Sequence, residues 1–156
     1  MASIQFCTFH IAGSRFGINI LDVKEIQIPT FFTPVLHAGG EVRGLVNIRG
    51  QVHLVIDLRV LLGFDRERVG KSHRIVLLKP HVGESFGILV DSVGDVAELH
   101  EDEIEQMNGN HAVLTESGLQ GSPELINGIG KLKSSLLMVL NAKALLEKVE
   151  KIHNRG

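Results

Sequence analysis

The chain has 156 residues and a mass of 17.1 kDa, with 16 Lys and Arg against 18 Asp and Glu, a net charge of −2. Hydrophobic residues at 44% and charged residues at 22% exclude a disordered chain, and the near-zero charge argues against a nucleic-acid partner, which needs a basic face for the phosphates. A chain of this length removes roughly 69% of its surface from water on folding, enough for a core without metal or disulfide staples, and a single cysteine, Cys7, permits no internal disulfide and fits a cytosolic protein.

Short apolar segments rich in Ile and Val then follow one another along the chain, at residues 4–11, 16–20, 23–28, 44–48, 52–56, 74–79, 86–90, 93–99, 125–132 and 136–140. Each is punctuated by Gly, Asn, Asp or Pro, which predicts many short strands at close spacing, about ten in all. Ile75-Val76-Leu77-Leu78 and Ile88-Leu89-Val90 are apolar throughout, so those strands are dry on both faces. That pattern suits a pair of packed barrels better than an open sheet. Two segments read as helix. Asp57 is a good N-cap for Leu58-Arg59-Val60-Leu61-Leu62, closed by Gly63. Asn141 caps an amphipathic helix over about 141–153, with Ala142, Leu145, Leu146, Val149 and Ile152 on one stripe. Lys143, Glu147, Lys148, Glu150 and Lys151 take its other face, Glu147 and Lys151 forming an i,i+4 pair. The helix covers an open barrel end or, failing that, binds a partner. No run reaches the roughly 18–20 apolar residues of a membrane span, and residues 1–15 lack a signal peptide's basic start and apolar middle.

Catalytic patterns are weak. Gly83-Glu84-Ser85-Phe86-Gly87 spells the G-x-S-x-G of a nucleophile elbow, but that elbow needs a strand, a sharp turn and a following helix. Here a Pro80-containing turn precedes the serine and a strand follows it, so a hairpin with turn glycines is the better account. The eight histidines, at 10, 37, 53, 73, 81, 100, 111 and 153, stand singly and show no zinc-ligand spacing. Cys7 lies in an apolar strand with no adjacent base, and Glu101, Asp102, Glu103 and Glu105 read as a solvated turn or short helix. Neither an active site nor a metal or cofactor site is expected.

The stretch from 44 to 59 is the most informative. It reads as strand, Gly50 turn, strand and the helix capped by Asp57, with Asn47 and Arg49 placed two apart on one strand face. An arginine inside an apolar hairpin calls for a carboxylate partner. The order N-x-R-G, apolar strand, D-L-R resembles the signature of the CheW family of bacterial chemotaxis adaptors, carried here by Asn47, Arg49, Gly50, Asp57 and Arg59. Residues 19–26, with Val23, Glu25 and Ile26, look like the family's I-x-V-x-E-I element. Val90-Asp91-Ser92-Val93-Gly94-Asp95-Val96 is similar to its V-D-x-V-x-D-V, and residues 126–132 match its C-terminal end. The four motifs are co-linear over nearly the whole chain.

The resemblance implies a mainly all-β domain of two interleaved five-stranded SH3-like β-barrels spanning 1–156. It implies a non-catalytic, cytoplasmic adaptor, monomeric when free and recruited to receptor arrays at the membrane without inserting into it. Its partners would be the cytoplasmic tip of a methyl-accepting chemoreceptor, seated in the groove between the barrels, and the CheW-like regulatory domain of a chemotaxis histidine kinase, met end to end in rings. The family's receptor-contact positions fall on Val23, Glu25, Gly44 and Arg49. Glu25 and Arg49 would pair across the groove, Val23 would offer apolar surface, and Gly44 would let the receptor helix approach. The structural reading is that Asn47, Arg49 and Asp57 only secure the hairpin and helix cap, while Asn47, Gly50, Asp57 and Arg59 make up the structural motif. Two departures concern prolines: Leu36-His37-Ala38-Gly39 lacks those the family carries there, and Leu54 stands where it has one, beside His53. Other readings are the regulatory part of a kinase, the front half of a receiver fusion, an adaptor for surface motility or another non-flagellar output, and a Ser85 hydrolase. The chain shows no kinase motif and no receiver domain, so a free-standing adaptor is preferred.

Overall fold

The computed structural model describes residues 2–79, 86–106 and 123–153. Twelve strands are present there, two more than the apolar segments predict: β1 Ser3–Ile11, β2 Ser14–Asn19, β3 Val23–Gln27, β4 Val42–Ile48, β5 Gln51–Asp57, β6 Arg74–Leu78, β7 Phe86–Val90, β8 Ser92–Val93, β9 Ala97–His100, β10 Ile104–Gln106, β11 Ile126–Lys131 and β12 Leu136–Leu140. The extra pair has local causes. The 93–99 segment splits into β8 and β9 because β1 pairs with both, through Phe9 and His10 and then through residues 3–6. The acidic run makes a 3-10 turn at Glu101–Glu103 as expected, then continues as β10. The expected helices form as α1, Leu58–Leu61, and α2, Ala142–His153.

The strands make two sheets. One has seven strands in the order β10-β11-β12-β2-β1-β8, with β9 also on β1, and the other five in the order β3-β6-β7-β5-β4. The chain starts in the first, supplies the whole of the second from β3 to β7, and returns to finish the first, so the two are interleaved. Each sheet has its edges tied together. In the larger one the Glu101–Glu103 turn joins β9 on one edge to β10 on the other. In the smaller one the chain leaving β3 crosses to the far edge, where Thr33 and Leu45 exchange two backbone hydrogen bonds of 2.8 Å.

The main core lies between the sheets. Phe9, Phe16 and Ile18 from one meet Ile56, Val76, Ile88 and Val90 from the other, with Leu58 and Leu61 of α1 and Leu145 of α2 closing it. Phe9 and Phe16 are cross-strand partners with stacked rings 6.4 Å apart. Central strands β6 and β7 are dry on both faces, because Ile75, Leu77 and Leu89 face a second cluster with Val46 and Val55. Gly87 belongs to this packing. A Cβ there would lie 2.7 Å from Ile75 Cγ2, so the glycine of the G-x-S-x-G run serves a strand contact and is no turn glycine. In α2, the Asn141 side chain caps the helix by accepting from Ala144 N–H at 3.2 Å.

The β1–β2 hairpin carries a local strain. Its two turn residues, Ala12 and Gly13, have φ of +51° and +83°, the pair of positive values that a type I′ turn requires. Alanine tolerates this poorly, whereas asparagine enters it readily. Ala12→Asn, which makes an Asn-Gly turn, is expected to raise stability by about 0.5–1 kcal/mol. A lower denaturation midpoint for this variant would contradict the strain assigned to Ala12.

Candidate functional site

Residue Arg49 sits in the turn, beyond the strand face assigned to it beside Asn47. β4 ends at Ile48, which pairs with Gln51, leaving Arg49 and Gly50 as the two turn residues with φ of +50° and +84°. Asn47 holds this turn, its Oδ1 accepting from Gly50 N–H at 2.9 Å. An arginine in left-handed backbone at a pinned turn is carried away from the sheet, and its guanidinium reaches Glu25 on β3, Nη2 to Oε1 at 2.5 Å. Because β3 and β4 are opposite edges of the five-stranded sheet, the pair bridges those edges. Arg49 remains 65% exposed and Glu25 25% exposed, so the ion pair contributes only about 0–1 kcal/mol to stability. Its interest is the exposed, oriented cation. Val23, at the start of β3, is half-buried and packs against the main core.

Gly44 has an internal reason to be glycine. It is buried, with φ of +144°, and a Cβ would lie 2.7 Å from the Thr33 carbonyl oxygen and 3.1 Å from Phe32 Cβ. The first thing a side chain would meet is the protein's own 28–35 segment, so Gly44 permits the Thr33 bridge. This internal requirement stands alongside the expected role of Gly44 in letting a receptor helix approach. Beyond Thr33, the segment without the family prolines turns at residues 36–37, with His37 at φ of +62° and Leu36 85% exposed, and rejoins the sheet where Asp57 N–H donates to Glu41 O at 2.7 Å.

The remaining motif residues form a framework behind the hairpin. Asp57 caps α1, its Oδ1 accepting from Val60 N–H at 3.4 Å, while Oδ2 lies 3.3 Å from Arg43 Nη1. Burial pushes the Asp57 carboxyl above its ordinary range, opposed by the Val60 N–H and by Arg43 and Arg66. A raised carboxylate pKa means that the charged form costs the folded state at neutral pH, so the residue is held for cap geometry more than for charge. Arg43, which the motif reading missed, also donates to Glu67 O at 3.2 Å and lies over the Phe32 ring at 5.8 Å. Its alternation within an apolar strand was the available signal. Arg59 joins more: Nη1 is 2.6 Å from Asp91 Oδ2, Nη2 3.3 Å from Glu67 Oε2, and Nε donates to Asp65 O at 2.7 Å. Asp91 Oδ2 also accepts from Ala12 N–H at 2.9 Å. Arg59 and Asp91, read as members of two separate motifs, thus clasp α1 to the β1–β2 hairpin.

Glu67, His73 and Asp91 place three potential metal-ligand atoms within 4.8 Å of one another, the one such group among the described residues. The chemistry does not suit a metal. Gly70 N–H donates to His73 Nδ1 at 2.8 Å, which puts the neutral ring's proton on Nε2, the nitrogen facing Glu67 and Asp91. A metal would need that nitrogen's lone pair, and Arg59 already holds both carboxylates. Of the other histidines, His10 Nδ1 lies 3.4 Å from Ser92 Oγ, and His100 starts the 3-10 turn, its N–H donating to Glu103 at 2.9 Å. Ser85, Pro80, His81 and His111 lie outside the described residues. Cys7 is a buried thiol whose pKa burial raises, the opposite of a reactive cysteine. A half-open cleft of about 760 Å³ beside β10–β12 is lined by Phe6, Asn19, Ile104, Asn127 and Lys143 among others, with no Ser, Cys or His among the described residues that line it. None of Val23, Glu25, Gly44 and Arg49 borders it.

A family model described as the CheW-like domain matches residues 5–150. "Chemotaxis protein CheW" of Bacillus subtilis (strain 168) is 30% identical over 145 residues, which is 92% of this chain and 87% of that protein. The protein of the same name from Klebsiella aerogenes is 28% identical over 147 residues, 94% of this chain and 83% of its own. Among solved structures, the scaffolding protein TtCheW from Thermoanaerobacter tengcongensis superposes with a TM-score of 0.77 at 23% identity, covering 90% of each chain, and shares the fold.

Proposed function

Because this chain belongs to the family of CheW-like domains, whose members are non-catalytic scaffolds, we propose that it couples the tips of transmembrane chemoreceptors to a chemotaxis histidine kinase. The observation that carries this reading is the Glu25–Arg49 pair, a pinned and solvent-facing guanidinium at the positions matching the family's receptor contacts. A fixed fork of N–H donors presents hydrogen bonds to a helix surface without losing much side-chain freedom on binding. Val23 and the exposed Ile26 on the same strand supply apolar surface along that sheet edge, on the face opposite Glu25. Glu25 orients the arginine, and Asn47 fixes the turn from which it projects.

In this reading the kinase's CheW-like regulatory domain is the second partner. The chain works in the cytoplasm, monomeric when free, and reaches the membrane through its receptors. No helix among the described residues is long and apolar enough to cross a bilayer. Small interfaces of this kind gain strength from the avidity of a receptor array.

The experiment is a binding titration against a purified receptor signalling fragment, with a kinase regulatory domain as the second probe. Arg49→His and Glu25→Gln are expected to weaken receptor binding by about tenfold, the loss of one oriented charged contact. Their melting temperatures should stay within a few degrees of wild type, because an exposed pair carries about 0–1 kcal/mol. Wild-type affinity in both variants would place the receptor contact elsewhere.

A further inference from the structure

Among the described residues, four polar or charged side chains are buried, at Thr8, His53, Asp57 and His73. Thr8 donates to Asp95 O, Asp57 holds Arg43 and Val60, and His73 accepts from Gly70. His53 differs: it is 4% exposed and its Nδ1 has no hydrogen-bond partner among the described residues. Its place is specific. His53 stands opposite Val46 in the β4–β5 ladder, on the sheet face where Val46, Val55 and Leu77 cluster. Glu25 pairs with Leu77 across β3 and β6, so its side chain belongs to the same face. The ring therefore lies behind the turn whose Arg49 reaches over to Glu25.

Among the described residues, the charges acting on the ring are Lys24 and Glu25 from β3 and Arg49 from the turn; across β4 it faces the apolar Val46. Glu25 is the only anion among them. An imidazole lacking one partner, on the same sheet face as a carboxylate already engaged by an arginine, competes for that carboxylate once it is charged. We propose that His53 makes the Glu25–Arg49 pair, and the receptor contact built on it, sensitive to protons. The neutral ring leaves Glu25 to Arg49. The charged ring draws Glu25 to itself and sets Arg49 loose, with Arg49 and Lys24 repelling the new charge. Burial, then Lys24 and Arg49, hold the imidazole below its ordinary range, while Glu25 acts the other way. With the folded-state pKa lowered, the neutral ring's contribution is complete above about pH 6.5 and is lost as pH falls through the folded value. The window lies on the acid side of neutrality.

This inference rests on the receptor reading above, and its test has two arms that fail separately. In the first, NMR follows the His53 ring in the free protein as pH is lowered, for wild type, Glu25→Gln and Arg49→Ala. The midpoint should fall in Glu25→Gln and rise in Arg49→Ala, and one common midpoint would end the proposal. In the second, affinity for a receptor signalling fragment is measured from pH 8 to pH 5.5. Wild type should weaken toward acid, with a ceiling of about tenfold per pH unit for one linked proton, and His53→Gln should lose that slope. Equal slopes would overturn the proton link with the receptor reading intact. Absence of wild-type binding at pH 8 would overturn the receptor reading, and the first arm would still decide whether His53 governs the ion pair.

Discussion

Gly44→Ala is expected to destabilise the protein by about 3 kcal/mol, lowering its melting temperature by roughly 6–12 °C. At φ of +144° only glycine is at ease, and forcing another residue there costs on the order of 1–3 kcal/mol. The added methyl would also sit 2.7 Å from the Thr33 carbonyl oxygen, so the 28–35 segment must lift. That puts at risk the two hydrogen bonds between Thr33 and Leu45, each worth about 1 kcal/mol. Gly44→Asp should be worse, because it brings a carboxylate against that carbonyl. Thermal and urea unfolding read the effect, and an unchanged midpoint for Gly44→Ala would mean that the bridge does not hold the sheet's edge. The result bears on function as well. Lost partner binding in a Gly44 variant would be confounded with lost structure, whereas Arg49 and Glu25 variants keep the two apart.

The second large effect belongs to Arg59. Arg59→Ala should cost about 2–3 kcal/mol, toward the lower side of what breaking a buried pair costs, since the side chain is 18% exposed. Truncation frees the Asp65 carbonyl and leaves Asp91 and Glu67 facing each other without their shared cation. Arg59→Lys keeps the charge but not the fork, so it should recover less than half of the loss. If the alanine variant unfolded within about 0.5 kcal/mol of wild type in a denaturant titration, the clasp between α1 and the β1–β2 hairpin would be ornamental.

Much of this was legible in the residues. Periodic apolar runs place the strands, and the fully apolar stretches at 75–78 and 88–90 fall on β6 and β7, two of the three interior strands of the smaller sheet. Both helix caps, Asp57 and Asn141, act through the side-chain oxygens their chemistry suggests. What sequence could not supply was everything set by pairing across distance. That Gly44 answers to Thr33, that Arg59 meets Asp91, and that Arg43 reaches Asp57 and Phe32 are products of register and closure, and no local pattern encodes them. Arg49 shows the limit most sharply. Two-residue alternation puts it on a strand, but a type I′ turn begins one residue earlier, and the positive φ sends its side chain off the sheet. His53 gave no sign of its unpartnered nitrogen, which appears only when the face it shares with Glu25 is known.

The interleaved path has a consequence for the order in which the molecule comes into being. The smaller sheet is built from one continuous stretch, β3 to β7, whereas the larger one needs β12 to lie parallel to β2, joining residues 137–139 to 15–17. On the ribosome, the second barrel to begin is therefore the first able to finish. The β1–β2 hairpin emerges early and must wait, one edge unpaired, through the synthesis of more than a hundred residues. Long-range pairing of this sort carries a large loop-closure cost and folds slowly. During that wait the early hairpin is an open template for the wrong strand, and Arg15, on that same edge, is the kind of charge that discourages one.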